Sequence, residues 1–241
     1  MENKISRKSE ALTAIILSFV GGILDVYCLF NFNVYATLHT GNIIKLVTNL
    51  VDGNISMFLA TLFILIAFSV GIFFVNWFEK RHEKTGMKAS LVMSIILLVL
   101  AMCVPNDTAP GILSNLKFLA ATIFGFEGAF ILHSFVKFGD YSYSATTMTA
   151  NINRLVTNVY NRVSTKDKKY NLGIFVYLLI FAFFMLGVGV GYCFLKFLPT
   201  FETGFMSLYG YNLILIVPAL CLLSILIMTI YSQKEQKYEQ K

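Results

Sequence analysis

Residues 36–50 read ATLHTGNIIKLVTNL, and residues 145–159 read ATTMTANINRLVTNV. At a constant offset of 109, Ala36, Thr37, Thr40, Asn42, Ile43, Leu46, Val47, Thr48 and Asn49 recur unchanged. Lys45 becomes Arg154, Gly41 becomes Ala150 and Leu50 becomes Val159. An ungapped match of this kind is an internal repeat, and a repeat constrains architecture before any single element does. In each copy the apolar residues fall at helical spacing on one face: Ile43, Leu46, Val47 and Leu50 in the first, Ile152, Leu155, Val156 and Val159 in the second. Asn42, Lys45 and Asn49, and their counterparts Asn151, Arg154 and Asn158, occupy the other. About a dozen residues at about 1.5 Å each cover only about 18 Å, so each copy is expected to form an amphipathic half-length helix. Thr40 and Thr149, or Thr37 and Thr146, are the expected N-caps, because a hydroxyl accepts from the free amides of a first turn.

The surrounding chain is a membrane sequence. Of its 241 residues, 57% are hydrophobic and 13% charged, with 23 Phe and a mean hydropathy of +0.71. A soluble domain carries about 25% charged residues. Disorder, collagen and a disulfide scaffold are excluded on the same composition. Six apolar stretches stand out, at residues 11–30, 57–78, 89–104, 115–135, 172–197 and 208–231. Most are long enough for about 30 Å of hydrocarbon, the third only just. The first contains an acid and lacks a small-residue cleavage site, so it reads as a span rather than a signal peptide.

Each copy of the repeat follows the first stretch of a set of three, the first copy lying between stretches one and two and the second between stretches four and five. Three crossings per half force opposite orientations, giving an all-α integral membrane fold of six transmembrane helices in two inverted repeats. These are residues 11–105 and 115–231 of a single membrane domain, with tails at 1–10 and 232–241. Basic residues set the orientation. Sixteen of the 19 lie on one side, in the N-terminal tail (Lys4, Arg7, Lys8), in the segment 79–88, in the segment 137–169 and in the C-terminal tail. Only Lys45, Lys117 and Lys196 fall on the other. Both termini are therefore expected in the cytoplasm, and the protein in the inner membrane. The net charge of +6 is a topology signal, so no nucleic-acid partner is expected.

Two acids lie inside apolar stretches, Asp25 in the first and Glu127 in the fourth. Each costs roughly 2.5–3.5 kcal/mol at a helix centre on insertion scales, so both are expected to face the protein interior. Small residues allow close helix packing: Ser18 with Gly22, the series Ala121, Gly125 and Ala129, and Gly187 with Gly191. Pro218 is expected to kink the sixth helix. Cys28, Cys103, Cys193 and Cys221 stand singly and read as small buried hydrophobes, without metal or disulfide spacing. His39 has Met148 as its counterpart and reads as an ordinary loop histidine. His82 reads as solvated, and His133 as a structural polar residue.

The sequences GGILDV around Asp25, HTGN at 39–42 and TAN around Ala150 together resemble the YoaK-like bacterial membrane proteins, over about residues 11–231. The resemblance implies a six-span inner-membrane protein of a family named for unknown function. Asp25, Thr40, Gly41 and Asn42 match the family pattern. Glu127 and Gly128 stand where the family usually has amide-bearing residues.

These features predict a transporter or channel for a small polar solute or ion, proton- or cation-coupled, with a pathway between the halves. Asp25 and Glu127 are the expected titrating groups. Thr40, Gly41, Asn42, Thr149 and Asn151 are expected to present hydroxyls, amides and helix N-termini to the solute. The alternative is a structural or regulatory membrane protein that does not transport. No HExxH, GxSxG or Walker motif is present, so neither an enzyme nor a cofactor or metal is expected. The lipid bilayer and the solute are the expected partners, and the small-residue faces allow a homo-oligomer.

Overall fold

The apolar stretches fold as helices because only an internally hydrogen-bonded backbone is stable among so many apolar side chains. The computed structural model describes residues 7–81, 86–105, 116–133, 137–138, 141–198 and 209–239. His82 and much of the basic segment around it lie outside the described residues. In chain order the elements are α1 (Arg7–Phe32), α2 (His39–Val51), α3 (Ile55–Arg81), α4 (Gly86–Met102) and α5 (Leu116–His133). They continue with β1 (Lys137–Phe138), β2 (Tyr141–Ser142), α6 (Met148–Thr165), α7 (Tyr170–Phe197), a 3-10 segment Gly210–Leu215 and α8 (Ile216–Glu239). The two strands form one small antiparallel hairpin, pairing Lys137 with Ser142.

Among the described residues, four helices are long and apolar enough to cross a membrane: Ser9–Phe32, Ile55–Arg81, Tyr170–Phe197 and Gly210–Ser232. The third and fourth apolar stretches yield the shorter apolar helices Lys88–Met102 and Leu119–His133. Large apolar side chains such as Phe63, Phe73 and Phe175 are exposed on the outer faces of α3 and α7. An apolar surface of this kind is stable against lipid and not against water. Cys103 and Cys193 lie on the surface as well, and of the four cysteines only Cys28 is buried as expected.

Helix α1 is the central element, 72% buried over its apolar window against 28–33% for the other three long helices. It packs most extensively against α7, while α3 packs most extensively against α5. Both crossings rest on glycine. A Cβ on Gly22 would strike the Phe184 carbonyl of α7, and one on Gly187 would strike the Phe19 carbonyl of α1. At the second crossing, a Cβ on Gly125 would strike the Ile64 carbonyl of α3. The GxxxG of α7 is thus occupied within the chain. The far end of the molecule is tied by Asn212, whose amide donates to the Met102 carbonyl (3.0 Å) and the Val104 carbonyl (2.7 Å) and accepts from the Tyr27 hydroxyl.

The repeat forms α2 and α6. Helix α2 turns through Asp52, Gly53 (φ 71°) and Asn54 and runs back beside α3. Its first residue, His39, lies against Phe68, ring centres 3.6 Å apart. Phe68 sits midway along α3, so the N-terminus of α2 is level with the middle of a 27-residue helix. Helix α6 is longer than expected, 18 residues against 13 for α2, because Tyr160 and Val163 extend its apolar face until Lys166 breaks it in the left-handed region (φ 57°). In the turn that follows, Asp167 accepts from the Lys169 amide (2.9 Å) and pairs with its ammonium (3.1 Å), which hold its carboxyl below the usual range.

The expected kink at Pro218 is replaced by a change of helix type. The 3-10 segment ends at Leu215, which places Pro218 in the first turn of α8, where its missing amide breaks no helical hydrogen bond.

Candidate functional site: two polar loops against one buried helix

The loops before α2 and α6 are closed by the same device. Asn42 accepts from the Tyr35 amide (2.8 Å) and donates to the Tyr35 carbonyl (2.7 Å). Asn151 accepts from the Ser144 amide (3.0 Å) and donates to the Ser144 carbonyl. Each asparagine therefore pairs with a residue seven positions back as a neighbouring strand would, and each is buried. These two side chains brace their own loops. Asn42→Ala or Asn151→Ala leaves a buried amide and carbonyl unpaired. Each should lower stability by about 1–3 kcal/mol, read as a fall in the melting temperature of the detergent-solubilised protein.

The expected N-caps also change. Leu38 and Thr147 occupy the cap positions and make no side-chain capping bond. Thr40 and Thr149 are exposed. Gly41 packs against the Tyr35 ring, where a Cβ would come within 2.8 Å of a ring carbon. In the second copy the small Ser144 replaces Tyr35 and the glycine becomes Ala150, so Gly41 answers to the size of its neighbour. Lys45 donates to the carbonyl (2.8 Å) and side-chain oxygen (2.7 Å) of Asn33, itself in the left-handed region (φ 52°).

Asp25 is the polar centre of the first loop. It is 3% exposed; one carboxyl oxygen accepts from the Thr37 amide (2.9 Å) and the other from the Thr37 hydroxyl (2.7 Å). The amide and hydroxyl of one residue, just before the start of α2, thus converge on one carboxyl. Thr37 was expected at most as a cap, yet it is the residue that binds the acid.

Glu127 is not the counterpart of Asp25. It is fully buried, and it faces Ser94 of α4 rather than the second loop. Neither of its oxygens has a close hydrogen-bond partner among the described residues, and the same holds for the buried Ser90 hydroxyl one turn along α4. His39 is also not the expected loop histidine: it opens α2, and both its ring nitrogens are buried without a hydrogen-bond partner among the described residues. His133 bonds Asn76 across α5 and α3 (2.9 Å), a structural role as expected.

The two loops meet on α1. Thr146 packs so closely on Gly21 that a Cβ there would overlap its methyl group. Gly21 and Asp25 lie one helical turn apart, which puts Thr146 and Thr37 on the same face of α1. Helix α5 closes the other side, where Gly128 approaches the Ala36 carbonyl. Asp25, Thr37 and Thr146 are thus brought together, whereas Thr40, Gly41 and Thr149 are not part of the junction. Thr37 and Thr146 were legible as identical positions of the repeat; nothing in the sequence singled them out over Thr40 and Thr149.

Fold and site together define an apolar, helical, membrane-type protein with two loop-and-helix units meeting on a buried helix. The family described as "Protein of unknown function (DUF1275)" matches residues 13–228, and the chain belongs to it. That supports the expectation of a membrane family without an assigned reaction; it does not carry the YoaK-like name. No curated protein and no solved structure matches the chain.

Proposed function

We propose that the protein is a six-span inner-membrane transporter or channel for a small polar solute or ion. In this reading the two three-helix halves are inverted, both termini are cytoplasmic, and the pathway follows the junction of the two loops on α1. The observation that carries it is the depth of α2: its N-terminal loop lies level with the middle of α3 and binds an acid about two turns inside the end of α1. Irregular backbone at such depth is stable only where it is buried in protein or lines a polar path. The mirrored pairing of α1 with α7 and α3 with α5, and the matching asparagine braces, support the inverted arrangement. The excess of basic residues in the tails and the segments 79–88 and 137–169 supports the orientation.

One observation favours the non-transporting alternative. The polar groups of Asp25, Asn42 and Asn151 are engaged by their own loops. Reconstitution separates the two readings. Proteoliposomes are assayed for uptake of a panel of neutral solutes, anions and cations, with and without a proton gradient. The transport reading expects at least one member to enter faster than into empty vesicles, and Thr37→Val, which removes the hydroxyl on Asp25, to slow it about tenfold. Uptake at the empty-vesicle rate throughout would favour the structural role.

A further inference from the structure

We propose that the loop before α6 is a binding site for a small carboxylate or similar oxyanion, in the position that Asp25 fills in the first half. The proposal rests on the transport reading and names its substrate class. The first copy of the repeat shows what this piece of chain binds: at Thr37 a carboxyl takes the amide and the hydroxyl of one residue (2.9 and 2.7 Å). Thr146 is the same residue at the same position of the second copy. It is completely buried, and its hydroxyl has no hydrogen-bond partner among the described residues.

A buried hydroxyl is ordinarily satisfied. Those of Ser18, Thr61 and Thr229 bond back to the carbonyl four residues earlier in their own helices (2.7–2.8 Å). Thr146 precedes a helix and has no such carbonyl within reach. Among the described residues no side chain takes the place of that acid at Thr146, and Glu10 of α1 lies toward Tyr143, three residues earlier in the loop. Asp25 is taken up by Thr37, and Glu127 faces α4 with neither oxygen on Thr146. The chain departs from its own symmetry here by leaving out the anion while keeping the groups that hold one. Helix α6, 18 residues long, directs its positive end at the site. The carboxyl of Asp25, one turn away on α1, is already met by the Thr37 amide and hydroxyl.

The test is a binding measurement that does not depend on transport. Thermal unfolding of the full chain in detergent is followed with increasing sodium acetate, against sodium chloride at equal ionic strength. Acetate should raise the melting temperature in a saturable way, because a ligand that binds only the folded state stabilises it. Thr146→Val, nearly isosteric, should weaken the apparent affinity about tenfold or more, and Thr146→Ser should restore it. No acetate-specific rise, or an equal rise in wild type and Thr146→Val, would overturn the proposal. If Thr146→Val does not fold, the Thr146→Ser titration and the wild-type acetate response still decide it. Proteoliposomes that take up a neutral solute or a cation while acetate leaves the melting temperature unchanged would sink this inference and leave the transport reading standing.

Discussion

Gly187→Leu should abolish the folded protein, whereas Gly189→Leu, two residues away on the same helix, should behave like wild type. At Gly187 the first carbon of any side chain meets the Phe19 carbonyl of α1, and a backbone group in a helix cannot swing aside as a side chain can. At Gly189 nothing lies within 4 Å of that carbon. Overpacking a core usually costs about 1–3 kcal/mol. Separating the crossing that buries the central helix should exceed that range and consume most of a typical stability of about 5–15 kcal/mol. Fluorescence-detected size exclusion of tagged protein reads the difference as loss of the monodisperse peak for Gly187→Leu alone. Equal behaviour of the two variants would mean that α1 and α7 do not cross as described.

The second large effect is expected at Asp25. Asp25→Leu removes the acceptor of the Thr37 amide and hydroxyl and leaves both buried, at about 1–3 kcal/mol for each orphaned group. A loss of about 2–6 kcal/mol follows. Asp25→Asn should cost under about 1.5 kcal/mol. Its carbonyl still accepts from the amide, and its NH2 donates to the Thr37 hydroxyl with the direction of that bond reversed. Thermal unfolding in detergent distinguishes the two. If Asn destabilises as much as Leu, the negative charge rather than the pattern of hydrogen bonds holds the loop.

Much of the fold was legible because hydrophobic runs and an exact repeat are local signals. The runs became helices within a few residues of their expected ends, except the last, which continues past residue 231 into the expected tail as far as Glu239, and Asn42 and Asn151 were marked by recurrence. The partners of the polar groups were not legible. Whether Thr37 or Thr40 faces inward depends on where α1 passes, and that is set by Gly22 meeting a helix far away in sequence. The same reason separates Asp25 from Glu127. Each is one acid in one apolar run, yet the first looks toward the loop of its own half and the second toward α4. Gly41 had a local cause, the Tyr35 ring, but only a contact seven or fewer residues apart in a folded loop reveals it. The repeat does not mark His39, since Met148 stands at its position, and its place follows from the packing of α2 on α3, which sets it against Phe68.

The placement of α1 has a consequence for how the chain is made. It leaves the ribosome before the other three long helices described and is the most buried of the four, yet its main partner α7 follows well over a hundred residues later. At about 5–20 residues per second, roughly ten to thirty seconds pass between Gly22 and Gly187. During that interval a helix carrying an acid waits in the bilayer with its principal face uncovered. Thr37 follows Asp25 by only twelve positions and emerges almost at once. The same loop that shapes the mature junction can therefore shelter the nascent helix until the rest of the chain arrives.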